Sequence, residues 1–151
     1  MFPEHDQSLM IRWFPGITTD QYRNTSKKDP IYNCAAWAAD INNQWLDPCP
    51  RPECVWPDDV PRENTISAYS QLYQKMGYVV CGGAELEEGY EKICLYVRNG
   101  EVVHVSKQLG ANWWKSKLGR AYDIEHEFAA LDGVLYGSPV IFLKRVKGDL
   151  A

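Results

Sequence analysis

The sequence predicts one α+β domain in which helices come first and an antiparallel sheet follows. Three features carry that expectation. An alanine-rich run covers 31–43, an amphipathic run covers 65–76, and beyond residue 90 the hydrophobic pattern changes to the two-residue period of strands. The length of 151 residues fits a single domain over 1–151. It divides into an irregular segment over 1–30, a helical part over 31–76 and a sheet part over 78–146.

Residues 1–30 are polar and punctuated by Pro3, Pro15 and Pro30, with room for a short extended piece over Met10–Phe14. From Ile31 onward alanine favours helix, and Asp29 or Asn33 can cap its start. This places Cys34 in the first turn, with Trp37, Ala38 and Ile41 on the same side. Five prolines make 46–62 a connection. A second helix starts at Thr65, capped by Thr65 itself or by Asn64. It shows an apolar face of Ile66, Tyr69, Leu72, Tyr73 and Met76, and stops at Gly77. Tyr78–Cys81 reads as a short strand. Lys92–Val97 and Glu101–Leu109 flank Asn99-Gly100, the strongest two-residue hairpin signal. A turn at 110–112 leads to a third strand, Trp113–Lys117. A short helix over Ile124–Leu131 and a last strand over Pro139–Val146 complete the chain.

The net charge of −4 disfavours a nucleic-acid partner, which asks for a basic surface. Lys107, Lys115, Lys117 and Arg120 lie close in sequence and are read as a solvated hairpin edge. The first residues show no cationic start followed by an apolar run, and no run approaches membrane-spanning length. The expected setting is therefore cytoplasmic and off the membrane, with export by a route that reads no cleavable signal left open. Five cysteines, an odd number, argue against a disulfide framework. Cys49 and Cys54 enclose Pro-Arg-Pro-Glu, a spacing loosely like that of metal ligands, but a zinc site needs a second pair. No metal and no cofactor are expected, and if a redox-sensitive pair exists it is this one.

Cys34 and His104 are the residues with chemistry to offer. A thiol becomes nucleophilic as thiolate, and a helix N-terminus or a nearby histidine favours that form. The amides of the same first turn offer an oxyanion site, with Asn33 as an added donor. His104 stands mid-strand, and simple alternation puts it on one face with Val102 and Ser106.

These segments resemble a known family. Tyr32-Asn33-Cys34-Ala35-Ala36-Trp37-Ala38 looks like the cysteine segment of papain-like thiol hydrolases of the NlpC type. His104-Val105-Ser106-Lys107-Gln108-Leu109-Gly110 resembles their histidine phrase, His-Val-x-x-x-Leu-Gly. The resemblance covers roughly 31–117 and implies a papain-like fold, with the cysteine-bearing helix packed on an antiparallel meander. It implies Cys34 as nucleophile, His104 as base, and an orienting residue on the next strand, which counting places at Ser116. Serine orients an imidazole less well than histidine, asparagine or aspartate, so Asp123 and His126 stand beside it as candidates. The export signal of wall-degrading members is missing, which removes the warrant for their substrate. His104 to Gly119 followed by Asp123-Ile124-Glu125-His126 also resembles uncharacterised bacterial domains, which brings no activity.

The reading is a thiol hydrolase or acyltransferase acting on an amide or thioester of a small-molecule, peptide or protein substrate. Cys34, His104, Ser116 and Asp123 are the catalytic set, and Tyr32, Asn33, Trp37 and Trp114 the oxyanion or substrate contacts. The alternative is a non-catalytic binding or accessory protein of immunity or effector type on the same scaffold. Then Cys34 is a small buried hydrophobe and His104 an inert strand residue. One of Trp113 and Trp114 is core and the other a substrate wall. Trp45 and Trp56 anchor the proline-rich connection, Cys81 and Cys94 are strand core, and His5 is uninvolved. Oligomeric state is not legible.

Overall fold

The computed structural model describes residues 7–133 and 135–148, with the side chains of 7–9 left aside, so His5 lies outside the described residues. A seven-stranded antiparallel sheet dominates. Its strands, in chain order, are β1 (Tyr22–Asn24), β4 (Val79–Cys81), β5 (Tyr90–Arg98), β6 (Glu101–Gln108), β7 (Trp113–Lys117), β8 (Asp123–Glu127) and β9 (Ser138–Val146). They are ordered β1-β8-β7-β6-β5-β9-β4. The short parallel pair β2 (Trp45–Leu46) and β3 (Cys54–Val55) stands apart.

Helices are few and short: α1 (Gln7–Trp13), α2 (Cys34–Ala38), α3 (Ile66–Gln74) and a single 3₁₀ turn over Phe128–Leu131. The expected α+β, papain-like architecture is thus corrected to a predominantly antiparallel β fold. Two expectations fail for identifiable reasons. The alanine-rich run yields five helical residues, not thirteen. Asn33 holds an extended backbone at φ −116° and ψ −177°, and Asp40 turns left-handed at φ 63°, so the helix is bounded on both sides. The segment read as a helix over 124–131 begins as β8, because that stretch is paired on both sides, with β7 and with β1. The extended piece expected over 10–14 falls largely within α1.

Where local chemistry is decisive the elements stand as expected. The Thr65 hydroxyl caps α3 by accepting from Ala68 N–H at 3.1 Å, and Gly77, at φ 94°, follows its end. Asn99 and Gly100 both take positive φ, as the two-residue hairpin requires.

The sheet is covered on both faces. One face carries α2 and α3, burying Ala35, Ala36, Leu72 and Tyr73 against Ile93, Leu95 and Val105. The other buries Met10, Phe14 and Tyr22 against Cys94, Tyr96 and Trp114. Consequently Ile93, Cys94, Leu95 and Tyr96 of β5 are all fully buried. A bulge in β6 breaks simple alternation: Tyr96 faces His104 but Val97 faces Val102. Val102 therefore joins Val105 on the helical face, and His104 keeps company with Ser106 but not with Val102.

Gly137 makes a close approach. It has φ 67°, and a β-carbon there would sit 2.1 Å from the Val97 carbonyl oxygen. Gly137→Ala is expected to destabilise the fold by more than about 2 kcal/mol, whereas Gly100→Ala, at positive φ but in open space, costs about 1 kcal/mol. Denaturant midpoints of the two variants check the ranking.

Candidate functional site around Cys34 and His104

Cys34 opens α2, half-buried. Asn33 fixes this start with every polar atom of its side chain. Its Oδ1 accepts from Ala36 N–H at 3.2 Å and Leu46 N–H at 3.1 Å, and its Nδ2 donates to the Leu46 carbonyl at 2.7 Å. One N–H of that amide is committed to Leu46 and its oxygen to two backbone amides, so Asn33, itself buried, serves as the cap that fixes the start of α2 in place of its expected oxyanion role. Burial pushes the Cys34 thiol up to about 11, the negative charge of Asp47 adds to that, and the nearby amides of Val105, Ala35 and Cys34 itself pull the other way. The resting group is a thiol.

Cys34 and His104 line one cavity of about 200 Å³, together with Asp47, Asn64, Tyr69 and Glu101. Among the described residues no hydrogen bond joins them. The pairing of β6 with β7 covers Lys107↔Lys115 and Gln108↔Trp114. On the side of that pairing nearer His104, side chains bridge the strands. His104 Nε2 lies 2.9 Å from Ser116 Oγ, Ser106 Oγ lies 2.6 Å from Ser116 Oγ, and Ser116 Oγ lies 2.7 Å from His126 Nε2. His126 Nδ1 donates to the Glu127 carbonyl at 2.7 Å. All four side chains are buried. Tyr136 stacks on the His104 ring at 4.0 Å and 4°, and Tyr96 meets it edge-on at 5.1 Å.

Ser116 therefore stands where counting placed it, against His104, with His126 behind it. Asp123 does not. Its carboxylate takes the Tyr32 hydroxyl at 2.7 and 2.8 Å, and the residue pairs with Lys117 on the helical face. This corrects Asp123 as an orienter of His104 and Tyr32 as an oxyanion donor: the two serve each other. Burial and the Asp123 carboxylate raise the Tyr32 hydroxyl's pKa. Trp114 is fully buried against Phe128 and is core, not a substrate contact, while its neighbour Trp113 is exposed. Trp37 packs on Tyr32 and under the Lys115 ammonium, 3.9 Å from the ring centre. Of the basic cluster only Arg120 is exposed, and the three lysines are no solvated edge. Lys107 and Lys115 both bond Asp40, and Lys117 is fully buried, donating to the carbonyls of Asp29 and Gly119.

Sequence reasoning missed Asp47, Glu101 and Tyr136. Nothing local marks them, since each reaches the site through the fold. Tyr136 also borders a larger cavity of about 570 Å³ with Trp13, Lys28, Leu118 and Arg120. Cys49 and Cys54 form a disulfide, contrary to the expectation from the cysteine count. Asp47 lies with them in a group of metal-ligand geometry, but sulfurs bonded to each other are not thiolates and do not serve as ligands in this form. No helix among the described residues is long and apolar enough to cross a membrane.

Both imidazoles resist protonation. Burial lowers His104 well below its usual value, with His126 adding to the effect, and burial brings His126 down to about 4 against the opposing pull of the Glu127 carbonyl. Unfolded, each titrates near 6.5, so on acidification the unfolded chain takes up protons the folded chain refuses. Stability is expected to be complete above about pH 6.5 and to fall as pH drops towards 4, by about 3 kcal/mol from His126 alone. Urea midpoints measured across that range check it.

Residues 23–144 match a family described as Domain of unknown function (DUF7689). No curated protein and no solved structure matches the chain.

Proposed function

We propose that this chain, which belongs to the DUF7689 family, is a thiol hydrolase or acyltransferase that opens an amide or thioester through Cys34 and His104. One observation carries the reading: Cys34, at the start of a helix, lines the same cavity as His104. The likeness of the two segments to the cysteine and histidine phrases of NlpC-type hydrolases supports the chemistry, and is no statement about the fold. The resting groups are thiol and imidazole, and the ring of His104 rests on the sheet face opposite α2, so general-base action needs the ring to reach the sulfur: it then takes the thiol proton as sulfur attacks the carbonyl and gives it to the leaving amine or thiol. The amides of Cys34 and Ala35 at the start of α2 offer the oxyanion its donors, the Ala36 amide being taken by Asn33. Asp47 and Glu101 at the cavity favour a peptide or small-molecule substrate that is neutral or cationic beside the scissile bond.

A second reading, a binding module without turnover, is favoured by the raised thiol and the buried histidine. The two readings separate on amide and thioester libraries. The hydrolase predicts turnover that Cys34→Ala abolishes and His104→Ala lowers by roughly 10²–10⁴-fold. No turnover, with Cys34 alkylating at the same rate in wild type and His104→Ala, leaves the binding module.

The proposed setting is the cytoplasm, where Cys34 stays reduced. The Cys49–Cys54 disulfide runs against it. Rapid alkylation of intact cells followed by mass mapping decides: free thiols at both positions support the cytoplasm, and a bonded pair in every copy rejects it.

A further inference from the structure

We propose that His126 and Ser116 are positioning residues that hold His104 as its Nε2–H tautomer, leaving Nδ1 as the ring's unprotonated nitrogen. The role as base rests on the reading above, but the tautomer itself follows from the hydrogen-bond chain. The Glu127 carbonyl can only accept, so His126 Nδ1 carries a proton. His126 is fully buried, and its partners are a carbonyl and a hydroxyl with no carboxylate among them. A second proton would leave an uncompensated buried cation, so Nε2 is a bare acceptor. Its neighbour at 2.7 Å, Ser116 Oγ, must then donate to it. Ser116 has one proton. With that proton committed, its oxygen accepts from both remaining neighbours, Ser106 Oγ at 2.6 Å and His104 Nε2 at 2.9 Å. His104 Nε2 is therefore protonated, and a neutral imidazole carries only one N–H.

This explains how a serine can orient an imidazole. Alone, a hydroxyl either donates or accepts and fixes no tautomer. Backed by His126, it can only accept. The fixed end of the chain is a backbone carbonyl, so the direction of every proton in it is set by the fold. Tyr136, stacked on the ring, and Tyr96, at its edge, hold the imidazole plane.

Long-range proton–nitrogen correlation spectra of histidine-labelled protein at neutral pH test the inference without any substrate. The expected wild-type pattern is a pyrrole-type Nε2 and a pyridine-type Nδ1 for His104, and the reverse for His126. In His126→Phe the Ser116 proton is released to turn towards His104 Nε2. The ring should then shift to the Nδ1–H form, and turnover should drop roughly 100-fold as the base is lost. His126→Gln, whose amide can accept from Ser116 and donate to the Glu127 carbonyl, should restore both. A wild-type His104 carrying its proton on Nδ1 overturns the proposal, as does a folded His126→Phe with an unchanged tautomer. Should His126→Phe not fold, Ser116→Ala takes its place, with a mixed His104 tautomer expected and an unmixed one contradicting. Absence of turnover in every form would remove the hydrolase reading and leave the tautomer result standing.

Discussion

A sheet buried on both faces leaves its enclosed polar groups only one another and the backbone as partners, and this constraint shapes most of the molecule, although the Tyr96 hydroxyl and the indole N–H groups of Trp37 and Trp114 stay buried without a hydrogen bond. Strand β5 contributes Ile93 and Leu95 to one core and Cys94 and Tyr96 to the other, with no side reserved for water. Polar side chains on the neighbouring strands are consequently forced into closed sets. On the helical face Lys117, Asp123 and Tyr32 satisfy one another and two backbone carbonyls. On the opposite face Ser106, Ser116, His104 and His126 do the same, ending on the Glu127 carbonyl. An unpaired member of either set would cost about 1–3 kcal/mol, so each is specified by the others.

The same constraint separates function from support. Cys34 is the exception to closure, a half-buried residue lining a cavity. Asn33 is spent on holding Leu46 and the first turn of α2, which fixes where that sulfur lies. The proline-rich connection that carries Leu46 and Asp47 thereby reaches the site, closed nearby by Cys49–Cys54.

How much of this was legible follows the range of the interactions. Caps and turns are local, so Thr65 and Asn99-Gly100 announced themselves, and the strands around them stand within a residue or two of where they were expected. The extent of α2 was not legible, because alanine propensity is outweighed by long-range bonds of Asn33 and a left-handed Asp40. Nor was β8, whose Ile124 and His126 spacing suits a strand only once partners exist on both sides. The closeness of Ser116 to His104 could be counted from the register of a meander. The exclusion of Asp123 could not, since it turns on a tyrosine ninety-one positions earlier.

The bulge in β6 has a consequence for how such a chain can vary. In a regular strand, adding or removing one residue reverses the inward and outward sense of everything beyond it. Here a reversal is already built in between Val102 and His104. The hairpin tip and the histidine segment therefore run on separate phases. Length changes around Asn99-Gly100 can be absorbed at this irregularity before they reach His104, so the tip is free to drift while the imidazole keeps its aim.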